Sequence, residues 1–132
     1  EEQCSLVAES NAAPIAAAVG VSEDLDPRTR ALYARGVKII CIDVAHGHHS
    51  NVERALKTLR DAYGEDITII AGNVATPEGF SDLQSWGASA IRVGIGGGSI
   101  CSTRIQTGHG MSTLSSVIEC QQVKTTAKMI KN

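Results

Sequence analysis

Val37-Lys38-Ile39-Ile40-Cys41-Ile42-Asp43 is the stretch that decides how this chain folds. Its apolar residues run almost without a break instead of alternating, as in a parallel strand covered on both faces. Ser50-Asn51-Val52-Glu53 follows with a capping-box pattern, and Gly64 supplies a helix stop. Between them Val52, Ala55, Leu56, Leu59, Ala62 and Tyr63 recur at the spacing of one helical stripe. Ile67-Thr68-Ile69-Ile70-Ala71 is a second apolar run. Strand, helix and strand in that order make one βαβ unit.

The same unit repeats outward in both directions. Pro14 to Val19, closed by Gly20, reads as an earlier strand, and Ala88 to Val93 as a later one. Asp26-Pro27 predicts a helix start with proline at its first position, and Gly36 its end. Thr76-Pro77-Glu78 opens another helix that Gly87 closes, and a fourth is expected within Ser112 to Lys131. The strands recur roughly every 22–30 residues, the period of consecutive βα units. A doubly wound sheet and a (β/α)8 TIM barrel both use such units. Asp43, Asn73 and Gly94 each stand at or just past the C-terminal end of a strand, where barrel enzymes build their sites, and this favours the barrel. Four units are half a barrel with two unpaired edges, so a fragment or an oligomer that completes the sheet is expected.

The 132 residues make one small domain, taken as a single partial barrel over 1–132, with a net charge of −2. A basic excess of the kind that marks a nucleic-acid partner is missing, as is any apolar run of membrane-spanning length. Cys4, Cys41, Cys101 and Cys120 are scattered without a C-x-x-C pair, which points to a reducing cytoplasm and away from a disulfide framework. His46, His48 and His49 invite a zinc reading, but no accompanying cysteine or carboxylate spacing supports a closed site.

Gly94-Ile95-Gly96-Gly97-Gly98-Ser99-Ile100-Cys101-Ser102-Thr103-Arg104 carries the chemistry. Glycines at that density let a backbone approach a ligand closely, and successive N–H groups can cradle a phosphate. A thiol at the end of such a loop is placed to attack a bound substrate. A surface loop with an incidental cysteine is the alternative reading. The loop lacks the G-x-G-x-x-G spacing of a dinucleotide fingerprint, although it follows a strand.

Gly72-Asn73-Val74-Ala75-Thr76, then Arg92 through Arg104, closely resembles the inosine monophosphate dehydrogenase and GMP reductase family. Asp43-Val44-Ala45-His46-Gly47-His48 and Ala16-Ala17-Ala18-Val19-Gly20 match that family's upstream strand ends in order and spacing. The resemblance implies a (β/α)8 barrel, usually a homotetramer, with this chain as its third to sixth strands. Glu1-Glu2-Gln3 resembles the segment after the second strand, and Pro14 follows so soon that the family's regulatory CBS insertion is absent.

The resemblance also implies roles. Cys101 would add to C2 of a purine nucleotide, and Thr103 would help position the nucleophile of the second half-reaction. Ser99, with backbone N–H groups around Gly97 and Gly98, would hold the 5′-phosphate. Asp43 would approach the nicotinamide side of NAD or NADP, with Asn73 and Gly94 near the base. Carbonyls of Gly96, Gly98 and Cys101 would suit K⁺. The family's matching His-Gly-His holds no structural metal. Arg92 would meet either a carboxylate or a ligand. Two reactions share these residues: IMP to XMP with NAD⁺, or GMP to IMP with NADPH. Thr107-Gly108-His109-Gly110 and Leu114 to Cys120 look more like the reductases, as do Thr76-Pro77-Glu78 and the missing CBS insertion. Met111-Ser112-Thr113 departs from both families' usual Pro-Gln. A non-catalytic, phosphate-binding half-barrel or truncated assembly partner is the reading from another class.

Overall fold

The computed structural model describes residues 14–124 and 126–131. Five strands form one sheet, β1 (Ala16–Val19), β2 (Ile39–Asp43), β3 (Thr68–Val74), β4 (Ala90–Val93) and β5 (Lys128–Lys131). Every neighbouring pair is parallel, and the spatial order is the chain order, β1-β2-β3-β4-β5. A doubly wound sheet reverses its order at a switch point. No reversal occurs among the described strands, and the chain is a partial (β/α)8 barrel. Cys4 and Glu1-Glu2-Gln3 lie outside the described residues.

The connecting helices are α1 (Leu25–Tyr33), α2 (Ser50–Tyr63), α3 (Pro77–Ser85), α4 (Ser102–Thr107) and α5 (Thr113–Cys120), with a 3₁₀ turn at Gly64–Asp66. Strand residues facing the helices are fully buried, among them Ile40, Ile42, Ile69, Ala71, Ile91 and Val93. Leu32, Val52, Leu56, Leu59, Phe80 and Leu83 meet them from the helices. Continuous apolar runs are therefore the outer, helix-covered side of the strands plus a half-exposed inner side, on which Ile39, Cys41, Ile70 and Arg92 stand.

Two local expectations are corrected, and one strand is added. The helix expected within Ser112 to Lys131 is α5, which stops at Cys120; beyond it Lys128-Met129-Ile130-Lys131 adds a fifth strand, in register from Ala90↔Lys128 to Val93↔Lys131. Gln84 of α3 steers the chain into it, its Oε1 accepting from the N–H groups of Thr126 and Ala127 at 3.0 and 3.3 Å. α1 starts at Leu25, one residue before Asp26, whose carboxylate pairs with Arg30 at 2.9 Å instead of capping. The cap of α2 is His49, one residue before Ser50: its Nδ1 accepts from the Asn51 N–H at 3.1 Å. On the α2 stripe Val52, Ala55, Leu56 and Leu59 are buried, whereas Ala62 is exposed and Tyr63 half-buried against Tyr33, ring centroids 4.9 Å apart. Thr76 caps α3 as its sequence predicts, accepting from the Gly79 N–H at 3.2 Å.

The end of the sheet opposite the glycine loop is held by two polar clusters. Arg60 of α2 donates to the carbonyls of Gly87 (2.7 Å), Gly64 (2.6 Å) and Ile67 (3.0 Å) and to the Ser89 hydroxyl (2.6 Å). The planar guanidinium thereby satisfies four acceptors from two connections at once, with its side chain only 15% exposed. Gly87, at φ +107°, lies against the Arg60 stem, where a Cβ would come within 2.7 Å of Cγ. In the second cluster Lys38 pairs with Asp66 at 2.8 Å while lying 4.0 Å above the Tyr33 ring, and the Tyr33 hydroxyl also donates to Asp66.

Arg60→Met keeps the stem but removes every donor, leaving part-buried carbonyls unmet; a loss of about 3 kcal/mol is expected from urea denaturation midpoints. Arg60→Lys is expected to recover no more than about half of that. The hydrogen bonds from Lys38 and Tyr33 hold the Asp66 carboxyl below its ordinary pKa. Its contribution is present above the unfolded carboxylate value and lost as pH falls through the lower, folded one. Melting temperatures of the wild type are therefore expected to drop at acid pH, with a shallower drop in Asp66→Asn.

Candidate active site

At the C-terminal ends of β2, β3 and β4 the chain builds a cleft of about 360 Å³. Asp43, Val44, Ala45, Asn73, Gly94, Ile95, Gly96, Cys101 and Thr103 line it. Six residues singled out from the sequence alone, Asp43, Asn73, Gly94, Gly96, Cys101 and Thr103, thus converge on one hollow from three different connections.

Its floor is backbone. The Val44 N–H donates to the Gly72 carbonyl, the Asn73 N–H to the Val44 carbonyl, both at 3.2 Å, and the Gly47 N–H to the Asn73 carbonyl at 2.7 Å. Asn73 is 8% exposed; its Nδ2 donates to the Gly94 carbonyl at 2.9 Å, while its Oδ1 is buried with no hydrogen-bond partner. An orphaned acceptor at the wall of a cleft is a group waiting for a donor. Arg92 meets a carboxylate: its Nη1 lies 2.9 Å from Asp43 Oδ1 and 3.9 Å from the Cys41 sulfur. The pair fixes the Asp43 side chain at the cleft edge.

Cys101 stands immediately before α4, its backbone extended. The N–H of Arg104 lowers the pKa of its thiol, opposed by partial desolvation and helped by the N–H and hydroxyl of Thr103 and the N–H of Gly96. Cys120 is the contrast: burial foremost, with Glu119 and Glu78 nearby, pushes its thiol up. Cys41, Cys101 and Cys120 are free thiols. The carbonyls of Gly96, Gly98 and Cys101 each accept one donor already, from Arg104 Nη1 (3.1 Å), the Cys101 N–H (3.2 Å) and the Ile105 N–H (3.2 Å).

Ser99 and Gly98 are exposed on the loop and lie outside the walls of this cleft. Gly97 lines a neighbouring hollow with Gly96, Arg104 and Thr113. A further cleft of about 440 Å³ was not anticipated from the sequence. It shares Ala45, Ile95 and Thr103 with the first and adds His46, Thr76, Thr107, His109 and Met111. Several of its walls, His46, Thr76, Thr103, Thr107 and His109, stand in segments the sequence singled out, but nothing in their spacing showed that they enclose one hollow. The histidines go separate ways: His48 Nε2 pairs with Asp82 of α3 at 2.8 Å, and His49 caps α2. Among the described residues no three His, Cys, Asp or Glu side chains come together as a metal site. No helix among them is long and apolar enough to cross a membrane.

Parallel strands whose C-terminal ends converge on one cysteine-bearing cleft are the arrangement of the face on which barrel-type domains build their sites. The chain belongs to the IMP dehydrogenase / GMP reductase family: the family's domain model matches residues 3–130. It is 51% identical over 106 residues to inosine-5'-monophosphate dehydrogenase of Halalkalibacterium halodurans and 44% identical to that of Staphylococcus aureus. Those matches cover 80% of this chain, which spans only 22% of each relative. Among solved structures, an inosine 5' monophosphate dehydrogenase from Legionella pneumophila superposes with a TM-score of 0.86 at 38% identity, covering 98% of this chain and 39% of that one. A GMP reductase from Trypanosoma brucei gives 0.75 at 37%, covering 80% and 24%.

Because its thiol pKa is lowered, Cys101 reaches half-maximal alkylation by iodoacetamide at a lower pH than the ordinary thiol value of about 8.5. Peptide-level mass spectrometry is expected to show Cys101 modified first and Cys120 last near neutral pH. Equal rates at the two sites would contradict the described environments.

Proposed function

We propose that this chain supplies the nucleophile-bearing part of a purine-nucleotide oxidoreductase acting at C2 of IMP or GMP, working as a cytoplasmic homotetramer. The observation that carries the reading is the convergence of Cys101, Thr103, Asn73 and Asp43 on one cleft at the strand ends.

Cys101 is the attacking group. Its thiolate adds to C2, and the bond from sulfur to carbon is the covalent intermediate. In the IMP direction C2 then loses a hydride, and water attacks the resulting adduct to release XMP and the thiolate. In the GMP direction addition at C2 expels ammonia, and a hydride delivered to C2 expels the thiolate to leave IMP. Thr103, which lines the cleft beside Cys101, is placed to orient the group that resolves the adduct. Ser99 and the N–H groups around Gly97 and Gly98 take the 5′-phosphate on the exposed loop. The Asn73 Oδ1 accepts from the ligand, relieving its buried, unpartnered state.

A nicotinamide cofactor, NAD or NADP, supplies the chemistry of accepting or giving the hydride when bound. The residues fit it: the cleft walled by Ala45, His46, Ile95, Thr103 and Met111 adjoins the Cys101 cleft through shared residues, and Asp43 and Gly94 stand at the edge. K⁺, if bound, would be held by the carbonyls of Gly96, Gly98 and Cys101, each of which keeps a second lone pair.

The deciding experiment follows nicotinamide absorbance in the near ultraviolet, with IMP and NAD⁺ in one cuvette and GMP and NADPH in the other. A rise in the first identifies a dehydrogenase, a fall in the second a reductase. Cys101→Ala is expected to remove either signal, a loss of at least about a thousandfold, since no other group can form the adduct. Nucleotide binding without turnover in the wild type would favour the non-catalytic half-barrel instead.

A further inference from the structure

The Arg104 N–H acts on the Cys101 thiol, but its side chain has no part in the chemistry above and is the strut of the cysteine loop. Nη1 donates to the Gly96 carbonyl at 3.1 Å and Nη2 to the Ser99 carbonyl at 3.4 Å. One guanidinium therefore spans the glycine run from near its start to the residue just before Ile100-Cys101. The stem of the same side chain is threaded between two glycines. A Cβ at Gly96 would lie 3.4 Å from Arg104 Cβ and one at Gly110 3.5 Å from Cδ. The two glycine segments are also packed on each other, since a Cβ at Gly96 would come within 2.9 Å of Gly110 Cα. The Met111 N–H donating to the Ile95 carbonyl at 2.9 Å completes the clasp.

Consecutive glycines have more backbone freedom to lose than any other run, so a loop of this composition does not hold one shape unaided. Its own N–H groups do little of this: among the described residues the backbone bond that closes the turn within it is Cys101 N–H to Gly98 carbonyl. We infer that Arg104 is the positioning residue of this site: by clamping the Gly96 and Ser99 carbonyls it holds the glycine run in the shape that receives an anionic nucleotide and presents Cys101 to it. Arginine is specific for the task. A planar fork reaches two carbonyls that a lysine ammonium cannot bridge in the same geometry. The inference rests on the nucleotide-site reading only for what the loop receives; the clamp itself is a statement about the loop.

The test compares wild type, Arg104→Ala and Arg104→Lys by hydrogen exchange of the 96–103 amides and by the IMP or GMP concentration that half-protects Cys101 from iodoacetamide. Arg104→Ala is expected to speed exchange in that segment about tenfold and to raise the half-protecting concentration by a similar factor, the worth of one or two exposed hydrogen bonds to a charged donor. Guanidinium ion at millimolar concentration is expected to restore both, and Arg104→Lys to recover them only in part. Unchanged exchange in Arg104→Ala overturns the inference. So does a loss that guanidinium does not rescue and that comes with a lowered melting temperature, which assigns Arg104 to the fold alone. If neither nucleotide protects wild-type Cys101, the nucleotide reading falls, and the exchange comparison still decides for or against the clamp.

Discussion

Gly72 is where three strand ends are tied together, and the site exists because nothing protrudes there. A Cβ at this position would lie 2.8 Å from the Cβ and carbonyl oxygen of Arg92. One at Gly47 would lie 3.1 Å from the Gly72 and Asn73 backbone. With both side chains absent, the loop after β2 lies directly on the end of β3, and main-chain hydrogen bonds join Val44, Gly72, Asn73 and Gly47. The register between β3 and β4 shifts at this point, between Gly72 and Val74. The Gly94 N–H then donates to the Val74 carbonyl at 2.8 Å, and Asn73 Nδ2 to the Gly94 carbonyl, so the end of β4 is drawn into the same seam. Backbone contacts have little rotameric freedom, which suits a floor against which a reactive thiol must keep its distance.

The two ends of the sheet divide the work. At one end Arg60 and the Lys38–Asp66–Tyr33 cluster meet carbonyls, carboxylate and hydroxyl with matched donors, and the Arg60 bonds leave no acceptor of that group idle. At the other, Asn73 keeps an unpartnered buried oxygen, Cys101 sits at a loop end, and Gly97, Gly98 and Ser99 are exposed. Barrel folds separate stability and function in this way, because helices return the chain to one face and leave the strand C-termini open on the other. Thr29 and Ser116 also keep buried hydroxyls without a partner, away from the cleft, so it is the position of the Asn73 oxygen at the cleft wall that suits it to a ligand.

The sequence showed four strands because their apolar runs have a single cause, burial under helices. β5 was hidden for the opposite reason. Lys128-Met129-Ile130-Lys131 is short, begins and ends in lysine, and has one neighbouring strand among those described. The lysines at its ends interrupt the apolar run that marked the other strands. α4 was equally silent: Ser102-Thr103-Arg104-Ile105-Gln106-Thr107 buries none of its residues and so has no stripe. In the site, Asp43 and Asn73 were legible because polar side chains at strand ends break an apolar pattern, and Cys101 because it closes a run of glycines. Arg60 and Arg104 were not. Both act on backbone carbonyls, which every residue has, so the partner leaves no trace in the composition.

That asymmetry bears on why dehydrogenase and reductase look alike over this stretch. On the proposed reading both reactions begin with the same event, addition of one thiolate to C2 of a purine whose phosphate is held on a glycine loop. The requirements of that event are a free thiol, a loop of fixed shape and a floor that does not yield, and these are what residues 43–104 provide. The reactions part only afterwards, in what arrives at or leaves C2. Groups that deliver water to the adduct or a proton to ammonia need only reach the cleft from outside its floor. Residues that build the common intermediate are therefore poor witnesses to its fate, and the likeness of this chain to proteins of both kinds follows from the chemistry they share.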